Sequence, residues 1–269
     1  SHEYNYEGYW QLKNDQQIRY LDLVPDGYFE LVLVLDGQVL FRPPRQEYYQ
    51  KMPPAGIIGQ SLQVFPLVLG PGANLLCIKW YPWAPKCFLH HPVHSFTNQA
   101  LDLESVVPSN RFRQLIRDLR SSRDFEAQTG LMDRFFEQHP MHLNQHTPFL
   151  EYAVQQLFAR SGAIRVESLG DSVSASNRYI QKVFKDQVGL SPKQFARVIR
   201  VKKASVLIQE NRFKGQFSQV AAQLGYFDQS HFLKDFRSIV GLSPSAYSTM
   251  QQMGDMAGQH DYLSQWDYV

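Results

Sequence analysis

The sequence predicts an α+β protein, β-rich over its first part and all-α, with two helix-turn-helix units, over its last third. Three observations predict it. Short runs of strand-forming residues separated by Gly and Pro turns extend to about residue 98, the apolar period changes to that of a helix from about residue 99, and a pentapeptide recurs unchanged at an offset of 52.

In the first part, Asp26-Gly27 and Asp36-Gly37 are turn signals, and residues 28–35 between them form an apolar run rich in strand formers. Val39-Leu-Phe41 continues it as a hairpin. Residues 43–54 are Pro-rich and predict a loop, after which residues 56–59, 64–69 and 75–81 predict strands punctuated by Gly70-Pro-Gly72 and Pro82. Such short strands suggest a small barrel or sandwich over residues 18–98.

Residues 99–138 are expected to be helical. Phe112, Leu115, Ile116 and Leu119 share one face of a helix over 111–120, and 125–138 predicts a second. Thr147-Pro148 supplies an N-cap and a first-turn proline for a helix with Leu150, Ala153, Val154, Leu157 and Phe158 on one stripe, ended by Gly162. The domains are therefore expected to be 3–146, a sensing or dimerisation unit, and 147–250, followed by a tail over 251–269.

The repeat carries the functional argument. Val188-Gly-Leu-Ser-Pro192 recurs as Val240-Gly-Leu-Ser-Pro244, with Phe184 matched by Phe236, Lys182 by Lys234, Lys185 by Arg237 and Phe195 by Tyr247. Each copy predicts a short helix, a tight turn and a second helix. In the second copy these are 217–224, a left-handed Gly225, and a helix after the cap Asp228; in the first they are 166–171 and 177–187, with Ser176 as cap. Residues 192–210 between the copies predict one continuous helix about 28 Å long, close to the roughly 34 Å between major-groove faces one turn apart.

Charge agrees with this division. Residues 163–250 hold 13 Lys or Arg against 6 Asp or Glu, a balance of +7, whereas residues 1–162 balance to −2 and residues 251–269 to −3. A polyanion facing that one segment is the natural partner. No apolar run approaches the roughly 18 residues of a membrane-spanning helix. With only Cys77 and Cys87, no disulfide framework is expected, and a reducing cytoplasm is the expected location.

Ala221-x3-Gly225-Tyr-Phe227-Asp-Gln-Ser-x-Phe232-x3-Phe236-x4-Gly241-Leu-Ser-Pro244-x2-Tyr247 resembles the signature of the AraC/XylS family, and residues 148–248 resemble that family's DNA-binding domain. The first copy departs from the pattern at Leu169-Gly170-Asp171-Ser172-Val173, where an irregular helix and turn are expected. The resemblance implies a sequence-specific transcription regulator of double-stranded DNA, an activator or a repressor, with RNA polymerase as a partner. It also implies an N-terminal domain that binds a small-molecule effector or forms a homodimer, and residues 18–98 loosely resemble the cupin-like barrel found there.

Ile180, Val183 and Phe184 should face inward in the first copy, and Phe232, Leu233 and Phe236 in the second. By resemblance, Arg178, Gln181, Lys182, Gln229, Ser230 and Lys234 then occupy base-facing positions, because Arg pairs with guanine and Gln with adenine through two hydrogen bonds. A phosphate contact is an equal alternative for Lys182 and Lys234. Lys185, Arg197, Arg200, Lys203 and Arg237 are the expected phosphate contacts, with Lys202 and Lys214 solvated or phosphate-facing.

No cofactor and no catalytic motif are expected: there is no phosphate loop, nucleophile elbow or paired-carboxylate motif. Cys87, His90, His91 and His94 are of metal-ligating type, but Pro92 breaks the helical spacing and no carboxylate lies nearby, so packing or surface roles are preferred. The competing hypothesis is a metal-dependent barrel enzyme, such as a repair protein, fused to a DNA-binding module. The many aromatics, among them Tyr28, Trp80, Tyr81 and Trp83, are expected in packing, with a few in a ligand pocket. The apolar face of helix 111–120 would pack within the domain or against a second copy.

Overall fold

A computed structural model describes residues 6–89, 92–106, 110–138, 146–171, 175–213, 215–257 and 260–263. The first region contains β1 (Tyr6–Lys13), β2 (Arg19–Leu23), β3 (Phe29–Asp36), β4 (Val39–Phe41), β5 (Gln50–Lys51), β6 (Ala55–Ile58), β7 (Phe65–Leu69), β8 (Asn74–Trp80) and β9 (Ala100–Asp102). With them are helices α1 (Ala84–Phe88), α2 (Leu103–Val106), α3 (Asn110–Ser121) and α4 (Phe125–Gln138), and a 3-10 turn, Val93–Phe96. The second region contains α5 (Thr147–Ala159), α6 (Ser168–Asp171), α7 (Asn177–Gln187), α8 (Pro192–Gln209), α9 (Phe217–Gln223), α10 (Gln229–Val240) and α11 (Pro244–Ala257). A last strand, β10 (His260–Leu263), follows.

Two five-stranded sheets stack face to face, one ordered β1-β8-β3-β6-β9 and the other β10-β2-β7-β4-β5. The space between them is filled by Trp10, Leu21, Val32, Phe41, Phe65, Leu67 and Cys77 among others. β3 is buried on both sides: Val32 and Val34 point into this core, while Phe29, Leu31 and Leu33 point to the opposite face, which α3 and α4 cover. That explains its unbroken apolar run, whereas β7 alternates, with Phe65, Leu67 and Leu69 inward and Pro66 and Val68 half-exposed.

The apolar face of α3 does not await a second copy. Phe112, Leu115 and Leu119 are buried against β3, β6 and β8 together with Met132 and Phe135 of α4. Each such side chain contributes roughly 1.5–3 kcal/mol by leaving water. A dimer using that face is therefore corrected, since the sheet already occupies it.

Several boundaries differ from the sequence expectation. β1 precedes the region expected to be barrel, and β2 opens it ahead of the Asp26-Gly27 turn, where no strand was expected. The cap of α5 is His146, with Thr147 already helical and buried, so the proline stands at the second helical position. α11 runs through position 250, and β10 pairs parallel to β2, so part of the expected tail joins an N-terminal sheet. No helix among the described residues is long and apolar enough to cross a membrane.

The two regions share a core. Val24 and Trp83 of the first are buried in the same cluster as Phe195, Ile199, Phe184 and Phe236 of the second. Tyr28 stacks on Phe158 with ring centroids 5.1 Å apart. Gly27, at φ +90°, lets the chain pass so close to α8 that a Cβ there would stand 2.5 Å from Ile199 Cδ1. Backbone polar groups cross the boundary too: the Val64 N–H donates to the Ile239 carbonyl at 2.9 Å.

Candidate nucleic-acid interface

Each unit presents its second helix in the same way. α7 begins at Ser176, whose hydroxyl accepts from the Tyr179 N–H at 3.3 Å, and α10 begins at Asp228, whose carboxylate accepts from the His231 N–H at 2.7 Å. Ile180, Val183 and Phe184 hold α7 in its unit, and Phe232, Phe236, Ile239 and Val240 hold α10. Opposite them, Arg178, Gln181, Lys182 and Lys185 are exposed along α7, and Gln229, Ser230, Lys234 and Arg237 along α10. Shifted by 52 positions, Arg178 falls on Ser230, Lys182 on Lys234 and Lys185 on Arg237, so the two stripes run at equal register. Leu233, half-buried, stands where the first unit has Gln181.

The linker α8 sets how these stripes relate. Ser191 and Gln194 form a reciprocal capping box at its start, and Pro192 occupies its first helical position. At 18 residues it is about 27 Å long. Phe195, Val198, Val201, Leu207 and Ile208 are buried, so the helix is gripped along its length. At its far side Gly225, at φ +68°, and Gly241, at φ +82°, make the left-handed turns around the second unit.

Two arginines expected at phosphates have other partners. Arg197 Nε donates to Asp235 Oδ1 at 3.0 Å and its Nη2 donates to the Ser238 hydroxyl at 3.0 Å, tying α8 to α10. Arg200 donates to the Gly162 carbonyl at 2.9 Å and lies 4.8 Å above the Tyr226 ring. Their guanidinium groups brace the angle between the units, and Arg200 and Asp235 also shape Tyr226: burial first, then the Asp235 charge, pushes its phenol well above the usual range. Lys203, half-buried on α8, stays a candidate phosphate contact, whereas Lys214 lies outside the described residues.

Lys202, half-buried on α8, is a third correction, because it lies near charged groups of the N-terminal region. It acts on Asp26 and Glu30 beside Lys79, whose ammonium is 2.5 Å from Asp26 Oδ2. Burial pushes the Lys202 pKa down to about 8 in spite of the two carboxylates. Burial also opposes ionisation of Asp26, but Lys79 and Lys202 outweigh it and hold that carboxyl below its ordinary value. Glu30, on β3, is pushed up to about 7, chiefly by burial. A lysine on the linker helix thus joins a cluster of four titratable groups beside the sheets, which sequence position alone gave no reason to expect.

His94 sits in the 3-10 turn, and His90 and His91 of the suspected metal set lie outside the described residues. Among the described residues no three His, Cys, Asp or Glu side chains gather to hold a metal ion. His231, expected in packing, is exposed at the edge of Tyr226, 5.2 Å between ring centroids.

Residues 169–250 match the family model described as a helix-turn-helix domain. The chain is 28% identical over 82 residues to an uncharacterised helix-turn-helix transcriptional regulator of Haemophilus influenzae, covering 30% of this chain and 27% of that one. It is 25% identical over 158 residues to the transcriptional activator RhaR of Escherichia coli, covering 53% of this chain and 55% of that one. It therefore spans about half the length, or less, of these curated relatives. Among solved structures, ToxT of Vibrio cholerae aligns over 91% of this chain and 99% of its own, with 12% identity and a TM-score of 0.49. With two capped helices at equal register, residues 169–250 form a helix-turn-helix domain of the AraC type.

Proposed function

We propose that this protein is a sequence-specific transcription regulator that reads two neighbouring major-groove segments of double-stranded DNA with α7 and α10. The observation that carries this is the pair of exposed polar stripes at equal register, joined by a linker of about 27 Å, near the roughly 34 Å repeat of the groove. Arg178, Gln181 and Lys182 of α7, with Gln229, Ser230 and Lys234 of α10, meet base edges, while Lys185, Lys203 and Arg237 meet phosphates. Arg197 and Arg200 are left out of the phosphate set because protein acceptors hold them. The activator name of the E. coli relative supports activation as the direction, which makes RNA polymerase a partner, and the cytoplasm, where such DNA lies, the location.

Control by a small organic effector is the finer part of the proposal. The core between the sheets is filled by side chains, so we place the effector in a cleft of about 360 Å³ between residues 42–45 and residues 239–242. A ligand there touches the end of α10 and couples binding to the second reading helix. Selection of duplexes from a random pool by the intact protein at low salt tests the core reading. The expected outcome is a site with two preferred segments about one helical turn apart and an affinity falling steeply with salt. Failure to enrich any sequence refutes it. Effector control is tested separately by Gln63→Trp, which blocks the cleft: it should abolish any ligand-induced thermal shift found for the wild type without changing DNA affinity in the ligand's absence.

A further inference from the structure

Phe227 is 94% exposed, the largest exposure among the described large hydrophobic residues. It stands immediately before the cap Asp228 of α10. At that position an apolar residue commonly packs on the fourth helical residue and fixes how the chain enters the helix. Here the fourth residue is Phe232, whose ring is already engaged by Tyr226 at 5.4 Å and by Phe236 at 5.8 Å between centroids. Phe227 is thus excluded from the packing its position usually serves. It is exposed instead two and three positions before the exposed Gln229 and Ser230, at the start of the stripe of α10.

We propose that Phe227 is a specificity-determining residue whose ring covers the 5-methyl group of a thymine at the edge of the segment that α10 reads. This rests on the DNA-reading function proposed above. Continuity with the polar stripe selects the occupant: an aromatic ring gains nothing at a phosphate, and the thymine methyl is the apolar feature of the major groove. In the first unit the matching position is Ala175, partly buried, so the contact belongs to the second unit alone and makes the two half-sites unequal. An exposed apolar ring otherwise remains in water, and covering a methyl group with it removes both apolar surfaces from solvent.

The test uses the intact protein and its selected duplex, with thymines in the α10 half-site replaced one at a time by deoxyuridine, which lacks only the methyl. One replacement should weaken wild-type binding about four-fold, the change expected for burial of one methyl-sized group. Phe227→Ala should bind the thymine duplex as weakly as the wild type binds the uracil duplex and lose the sensitivity at that position, while Phe227→Leu retains part of it. Because the side chain is exposed, Phe227→Ala should keep the wild-type circular dichroism spectrum and melting temperature. Unchanged uracil sensitivity in Phe227→Ala overturns the inference. So does equal weakening on every duplex, which marks a nonspecific contact, or an altered sedimentation coefficient with unaltered DNA binding, which marks a protein contact. A wild type that binds no duplex overturns the DNA-reading function itself, and this inference with it.

Discussion

Glu30→Gln tests the buried charge cluster that joins the barrel to the linker helix. Glu30 lies on the central strand β3, paired in register with Lys79, and its carboxyl faces Lys79, Asp26 and Lys202. Burial, with Asp26 adding to it and the two lysines opposing, raises its pKa from 4.5 to about 7. The folded protein therefore keeps a proton that the unfolded chain releases near pH 4.5. The resulting stabilisation is fully present below pH 4.5 and is lost as pH rises through 7, by about 3 kcal/mol over the interval. Glutamine does not titrate and leaves the carboxylate's volume unchanged. The variant and the wild type should melt within a degree or two of each other near pH 4.5, and the variant should be more stable above pH 7.5. At about 2–4 °C per kcal/mol for a chain of this size, the gap reaches roughly 6–12 °C. Lys202 titrates in a later window: its pKa falls from 10.5 to about 8, so its contribution to stability is present above 10.5 and lost as pH falls through 8. Thermal melts of both proteins at half-unit steps from pH 4.5 to 7.5 isolate Glu30. Two parallel profiles would show that its carboxyl is solvated and that the cluster is not closed by Lys202.

The reading faces are tested by Arg178→Ala and Gln229→Ala, each expected to weaken the best duplex by about 1–3 kcal/mol and to relax base preference at positions one helical turn apart. Finding the preference of both variants intact in a binding-site selection would misplace the stripes. Lys203→Ala should weaken all duplexes alike and lower the salt slope by about one, measured by titration at several ionic strengths; a change confined to one sequence contradicts a phosphate contact. Gly162→Ala should lose about 1–3 kcal/mol in denaturant unfolding, because residue 162 sits at φ +73° and a Cβ would stand 2.2 Å from the Ala196 carbonyl oxygen. Unchanged stability would mean that the turn after α5 relaxes freely.

Local chemistry by itself determined the C-terminal units. The Ser176 and Asp228 caps, the glycines after the helices and the Ser-Pro starts act within a few residues, so α7, α8 and α10 lie where their residues predicted, to within one position. The same holds for β3, β7 and β8, bounded by Gly and Pro turns. β1, β2 and β9 were not legible, because strands with mixed polar residues acquire their identity from the partners they pair with. At the interface, exposure on a helix face follows from its period, so the stripe residues could be named in advance. What a long basic side chain reaches does not follow from period: Arg197 and Arg200 read as phosphate contacts on α8 and Lys202 as solvated or phosphate-facing, yet Arg197 binds Asp235 and Arg200 the Gly162 carbonyl, each 38 positions away, and Lys202 acts on Asp26 and Glu30. Only the tertiary structure decided them, because a contact between distant segments depends on which surfaces of the folded chain meet.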